Sequence, residues 1–305
     1  FGSLVTIIML IPLVALLPPL VYEGTRRRSI WFEAPDYAPH IWSVIGLLLL
    51  FITGLMLFYS AAIPDFASMR DHSTGWRQRW GKRLARGWVG TDIQWRTLRM
   101  RIGMFGTFYF LILVFVTFLI STDYGQSVIP GSRDAIYPMS LTISSFQGGV
   151  AAIVIALYFS RKWMNLEKFV HLDAFWSLSR LLFALTLLWV YFFYSSFIVF
   201  WYGRSANDIA TLDLLIRGPM VYAFIAGAIL IWFIPWWILI WNRVRRGTTA
   251  MVVGAFIILI GLMLDRIRYF VSAWSVPQDQ IHQKWLKVIP ETYFPNVYDI
   301  LIIIG

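Results

Sequence analysis

Met251-Val252-Val253-Gly254-Ala255-Phe256-Ile257-Ile258-Leu259-Ile260-Gly261-Leu262-Met263-Leu264 is an uncharged apolar run, and it passes without a break into Asp265-Arg266-Ile267-Arg268-Tyr269-Phe270. A bilayer core of ~30 Å takes about 20 apolar residues in a helix, and the run from 250 to 271 has that length. A charge at the centre of a bilayer costs roughly 2.5–3.5 kcal/mol. Asp265, Arg266 and Arg268 must therefore be partnered or lie near an interface.

Working outward, six further runs of this kind lie near 3–22, 42–63, 102–122, 137–159, 175–201 and 218–241, and another begins at 296. The fold expected is an all-α integral membrane protein, one polytopic domain over 1–305 with a bundle of about eight transmembrane helices. Pro12 and Pro18-Pro19 kink the first span or end it early, and Pro235 predicts a kink in the sixth. Phe1 opens directly into an apolar run and the chain stops at Ile302-Ile303-Ile304-Gly305. We expect the core of a longer protein, with its last span truncated.

The composition is 59% hydrophobic and 14% charged, against about 25% charged in soluble domains, which decides for a membrane protein. With no cysteine, the chain can ligate no iron–sulfur cluster through thiolates and form no disulfide. His40, His72, His171 and His282 all fall in loops or at helix ends, whereas an intramembrane haem needs histidines facing each other inside the bilayer. The +10 formal charge is read as topology and anionic-lipid contact, not nucleic acid.

Orientation follows from the basic loops. Stretch 64–101 carries Arg70, Arg77, Arg79, Lys82, Arg83, Arg86, Arg96, Arg99 and Arg101. Stretches 160–174 and 242–249 add Arg161, Lys162, Lys168, Arg243, Arg245 and Arg246. These three loops are expected to be cytoplasmic, which puts Asp123, Arg133 and the Asp265 cluster on the outer side. Asp265 then lies about 22 Å along its helix, near the outer edge of the hydrocarbon. Residues 70–87, basic with Trp76 and Trp80 interleaved, read as a surface-lying amphipathic segment or simply as a topology determinant.

Few residues carry chemistry. Asp265 and Arg268 share a helix face and can pair, while Arg266 points elsewhere and needs another partner, such as a carboxylate on a neighbouring helix. The cluster is a proton relay or quinone-facing group, or else a structural ion pair with arginines snorkelling to headgroups. Asp123, after the third span, could exchange protons with a quinol or with water, or cap a turn. His171, Asp173 and Arg180 at the entry of the fifth span could gather protons from the inner side, or anchor and cap the helix. Tyr191 and Tyr194, with Ser195 and Ser196, could line a water file, or bond neighbouring helices and their own backbone. No metal site, phosphate loop or nucleophilic triad is visible.

The stretch Ser121-Thr122-Asp123-Tyr124-Gly125-Gln126-Ser127-Val128-Ile129-Pro130-Gly131, followed by Ala135-Ile136-Tyr137-Pro138, resembles an interhelical loop of the NrfD / polysulfide-reductase membrane-subunit family. Tyr191 to Trp201-Tyr202-Gly203 and Leu264-Asp265-Arg266 with Tyr269 resemble its later helices. Gly87-Trp88-Val89-Gly90-Thr91 with Gln94-Trp95-Arg96 resembles the version found in bacterial alternative complex III. The likeness runs from about 85 to 275. It implies an NrfD-like bundle without cofactors of its own, beneath an outer-facing iron–sulfur subunit. Quinol-site members carry a His a turn and a half before the Asp of the Ser-x-Asp stretch. Thr117 stands there, so the resemblance is nearer to the smaller, ActF-type subunit.

The function this implies is a membrane subunit of a quinol:electron-acceptor oxidoreductase in a bacterial inner membrane, in a respiratory or photosynthetic chain. Its expected partners are a second NrfD-like subunit, the iron–sulfur subunit, a multihaem cytochrome c and lipids, with menaquinol or ubiquinol as substrate of the complex. A proton route would use His171, Asp173 and Arg180 on the inner side, and Asp123, Asp265, Arg266 and Arg268 on the outer side, with Tyr191 and Tyr194 joined through water. In the alternative, Asp123, Arg133 and Tyr137 line a quinol pocket, or the chain is a passive anchor. An independent secondary transporter ranks last, because no inverted repeat is visible.

Overall fold

Among the described residues, six helices are long and apolar enough to cross a membrane: Trp42–His72, Asp92–Ile120, Tyr137–Trp163, Leu172–Gly203, Val221–Ile240 and Thr248–Ala273. They correspond to the six expected spans between 42 and 271, and the chain is accordingly a multi-pass membrane protein. A computed structural model describes residues 40–126, 134–218 and 220–276, with positions 129, 132, 286 and 289. The expected spans at 3–22 and from 296 onward lie outside the described residues. No strand occurs among the described residues. The chain divides into two compact units, which meet in sequence between Ile120 and Ser121.

The first unit holds α1 (His40–His72), α2 (Trp76–Leu84) and α3 (Asp92–Ile120). Stretch 64–101, expected as a loop with an amphipathic segment over 70–87, is mostly helix, and α2 falls within that segment. α1 runs on through Pro64 to His72, and α3 begins at Asp92, ten residues before its apolar part. Hydropathy measures the length inside a membrane, and polar turns continue a helix beyond it. α3 starts where it does because of a capping box. The Gln94 side chain accepts the Thr91 N–H at 3.3 Å, and Thr91 Oγ1 accepts the Gln94 N–H at 3.3 Å. α1 and α3 pack through Leu47, Leu50 and Val116. Gly46 permits the approach, since a Cβ there would lie 2.8 Å from Val116 Cγ2. The outward side of α3 presents Phe108, Phe110, Leu111 and Phe115, an apolar face suited to lipid or a partner helix.

The second unit opens with a π-helical turn, Ser121–Gly125, and contains α4 (Tyr137–Trp163), α5 (Leu172–Gly203), α6 (Ala206–Leu212), α7 (Val221–Ile240), α8 (Asn242–Arg245) and α9 (Thr248–Ser275). The buried stripe of α9 is Met251, Ala255, Ile258, Leu262, Tyr269 and Ser272. With Asp265 falling between Leu262 and Tyr269, they recur every three or four residues, as one helix face must. The stripe meets Ala151 and Val154 of α4, Leu182 and Trp189 of α5, and Ile231 and Leu239 of α7. Gly261 brings α9 against α7, since a Cβ there would lie 2.8 Å from Leu230 Cβ and Ile231 Cγ1.

α7 is interrupted by a π-helical turn, Ile229–Phe233, just ahead of Pro235. Pro235 has no N–H to give to the carbonyl four residues back, that of Ile231. The Gln147 amide of α4 donates to that carbonyl at 3.2 Å and to Thr186 Oγ1 of α5 at 3.1 Å. One buried side chain thus ties three helices at about 15 Å from the start of α4. Gln147 Oε1 has no donor among the described residues.

Candidate functional site

The end of the second unit that holds Asp265 contains a half-open cavity of about 100 Å³. Its polar lining is Asp134, Ser144, Ser196, Asp265, Arg266 and Arg268, with Tyr137, Ser140 and Tyr269 alongside.

α9 supplies the charges. Arg268 donates to Asp265 Oδ1 from Nη2 at 2.7 Å and from Nε at 3.2 Å. Its Nη1 donates to the Leu215 carbonyl at 2.6 Å, a carbonyl within the π-helical turn Asp213–Arg217. Its guanidinium also stands 5.4 Å over the Phe224 ring. The pair is nearly enclosed, at 11% and 18% side-chain exposure, so solvent screens it little. The i, i+3 pairing expected from the sequence is therefore present.

Arg266 departs from the expectation. Its Nη2 donates to the Ser144 hydroxyl of α4 at 2.5 Å, and no carboxylate pairs with it among the described residues, where the ion pairs are Arg70–Asp71, Arg217–Asp213 and Arg268–Asp265. The reason is geometric. Arg266 leaves α9 toward α4, whose facing positions carry hydroxyls. Arg266 shares the cavity with the Asp134 and Asp265 carboxylates, and its guanidinium can orient a water between them.

Asp134 is the residue that the sequence reading missed. It is buried. One carboxylate oxygen accepts the Ile136 N–H at 2.8 Å, an Asx turn leading into α4, and the other accepts the hydroxyl of Ser196 from α5. The Gln126 amide donates to its carbonyl at 2.9 Å. An Asp shortly before Tyr137-Pro138 is a helix-start signal, but nothing local pairs it with a serine 62 positions on. Beside it, Tyr137 and Tyr269 stack with ring centroids 4.7 Å apart and planes 16° apart. The Tyr269 hydroxyl donates to the Gly125 carbonyl at 3.3 Å. Gly125 leaves room for this, since a Cβ there would lie 3.0 Å from the Tyr137 hydroxyl.

The remaining candidates are scattered. Asp123 belongs to the π-helical turn Ser121–Gly125, but its side chain, like the whole of Arg133, lies outside the described residues. Tyr191 and Tyr194 are 61% and 59% exposed and do not line the cavity; Ser196 of the same helix does. His171 and Asp173 stand exposed at the opposite end of the unit, where α5 begins. Arg180 is exposed nearby, its guanidinium 4.1 Å over the Trp176 ring, with Arg246 5.9 Å from the same ring. Asp173 and Arg180 form no ion pair among the described residues. Between the two ends, buried polar side chains run from Ser144 to Gln147, Thr186 and Ser179.

Magnitude separates the two chemistries open to the cavity. Ligand pockets run from about 300 to 1,000 Å³, whereas a water takes about 30 Å³. A cavity of about 100 Å³ holds a few waters between carboxylates, hydroxyls and guanidiniums, an arrangement that can relay a proton. No group of three or more His, Cys, Asp or Glu side chains gathers to hold a metal among the described residues. No protein-family model matches this sequence, and no curated protein sequence matches it.

Proposed function

We propose that this chain is a cofactor-free integral subunit of a quinol:electron-acceptor oxidoreductase of the alternative complex III kind, within the NrfD / polysulfide-reductase family. It scaffolds haem- and iron–sulfur-bearing subunits and contributes a proton route in a bacterial inner membrane. The observation that carries the proton role is the water-sized cavity at Asp265, Arg266 and Asp134. The family assignment rests on the order and spacing of the motifs between 85 and 275, and the orientation on the basic stretches around 64–101, 160–174 and 242–249. In this reading Asp265 is the carboxylate that passes the proton, and Arg268 holds its side chain in place. Arg266 orients the water beside it.

The test is Asp265→Asn in the assembled complex, with proton translocation and electron transfer measured together. Translocation is expected to fall by about tenfold while electron transfer keeps most of its rate. Equal loss of both, with the complex unassembled, would replace the relay with a structural pair. The reading as a passive anchor draws on one specific observation, the complete structural engagement of Arg268 by Asp265, Leu215 and Phe224. It predicts unchanged translocation in any assembled Asp265 variant.

A further inference from the structure

The first unit has its own cavity, of about 600 Å³, between α1, α3 and the stretch that joins α2 to α3. That volume is in the range of an organic ligand. Its walls are of two kinds. Met56, Ile63, Met104 and Phe105 form the apolar part, and Arg86 and Arg101 are its charged lining. No Asp or Glu lines it, and neither arginine is in an ion pair among the described residues.

Arg86 is held in place. Its backbone takes a left-handed conformation at φ 44° just after α2, and its guanidinium stands 5.5 Å from the Tyr59 ring centroid. That ring is fixed in turn, because the Tyr59 hydroxyl donates to the Leu84 carbonyl at 2.9 Å. Trp88, also in the wall, packs edge-on against Trp95 at 5.1 Å. The cavity lies where the apolar parts of α1 and α3 give way to charged turns, at Ile63 and Arg101. That is the level at which hydrocarbon meets headgroups, with tryptophan as its usual marker.

We propose that this cavity binds one anionic phospholipid, with Arg86 and Arg101 on the headgroup phosphate and an acyl chain along Met56, Ile63, Met104 and Phe105. A free phosphate would use the guanidiniums but leave the apolar wall unfilled. A zwitterionic lipid would fill the wall but bring no net charge to two arginines that have no carboxylate partner among the described residues. The site stands independently of the proton route.

The test is native mass spectrometry of the full chain in mild detergent, titrated with palmitoyl-oleoyl phosphatidylglycerol or with the matching phosphatidylcholine. One phosphatidylglycerol is expected to stay bound where phosphatidylcholine is lost. Arg86→Gln with Arg101→Gln should weaken its retention by at least about tenfold. Arg86→Lys with Arg101→Lys should keep it, and so should Arg77→Gln with Arg79→Gln on α2, which reports general basicity. The proposal is overturned if the Gln pair retains phosphatidylglycerol as the wild type does, if phosphatidylcholine binds equally, or if the Lys pair loses the lipid as fully as the Gln pair. Displacement of the lipid by millimolar inorganic phosphate would likewise overturn it, by showing a site for a free anion.

Discussion

Arg266 and Arg268 stand two positions apart on α9 and have different surroundings. Arg268 is bonded on every side, to a carboxylate, a carbonyl and an aromatic face. Arg266 meets a single hydroxyl among the described residues. Removing one partner of an enclosed ion pair strands the other charge, while removing both together is far milder. Asp265→Leu alone should therefore lower stability by about 2–4 kcal/mol, and Asp265→Leu with Arg268→Met by clearly less. Thermal unfolding of the wild type, Asp265→Leu, Arg268→Met and the double variant in one detergent measures this, and simple additivity would show that the two groups do not support each other. The Asp265–Arg268 pair was legible because i, i+3 spacing is a local fact. Asp134–Ser196 and Arg266–Ser144 were not, since each joins residues 62 or 122 positions apart and only tertiary packing decides which hydroxyl faces which charge. The Thr91–Gln94 pairing also has a purely local cause, the capping box.

α7 shows how an imperfection in one helix becomes a tie between three. Pro235 leaves the Ile231 carbonyl without its usual donor, and Gln147 fills that place from α4. Gln147→Leu should cost about 1 kcal/mol of stability, and less when Pro235→Ala restores the missing N–H. Denaturation of the single and double variants tests this, and strictly additive costs would contradict it. The sequence marked Pro235 as a kink but could not foresee a π-helical turn with its donor from another helix, because that choice belongs to the packing. The six spans between 42 and 271 were legible from hydropathy alone, since about 20 apolar residues in a row have few other uses. Their true ends were not, as α1 and α3 show by continuing into charged turns.

For the chain as a whole, helices that alternate in direction send the stretches 163–171 and 241–247 to one end of the second unit, away from the Asp265 cavity. Arg180 and Arg246 meet at Trp176 there. The absence of native cysteine makes the sidedness directly measurable. Glu167→Cys and Thr249→Cys should react with a membrane-impermeant maleimide only from the cytoplasmic side, and Tyr202→Cys only from outside. The reverse pattern would invert the proton route, and a mixed one would break the alternation. The company the chain keeps separates an oxidoreductase subunit from an independent transporter. The most direct measurement is purification in mild detergent, with mass spectrometry of what accompanies the chain and a reduced-minus-oxidised spectrum. The account predicts c-type haem and iron–sulfur subunits in fixed ratio to it. A single species without redox cofactors would contradict it and bring the transporter forward.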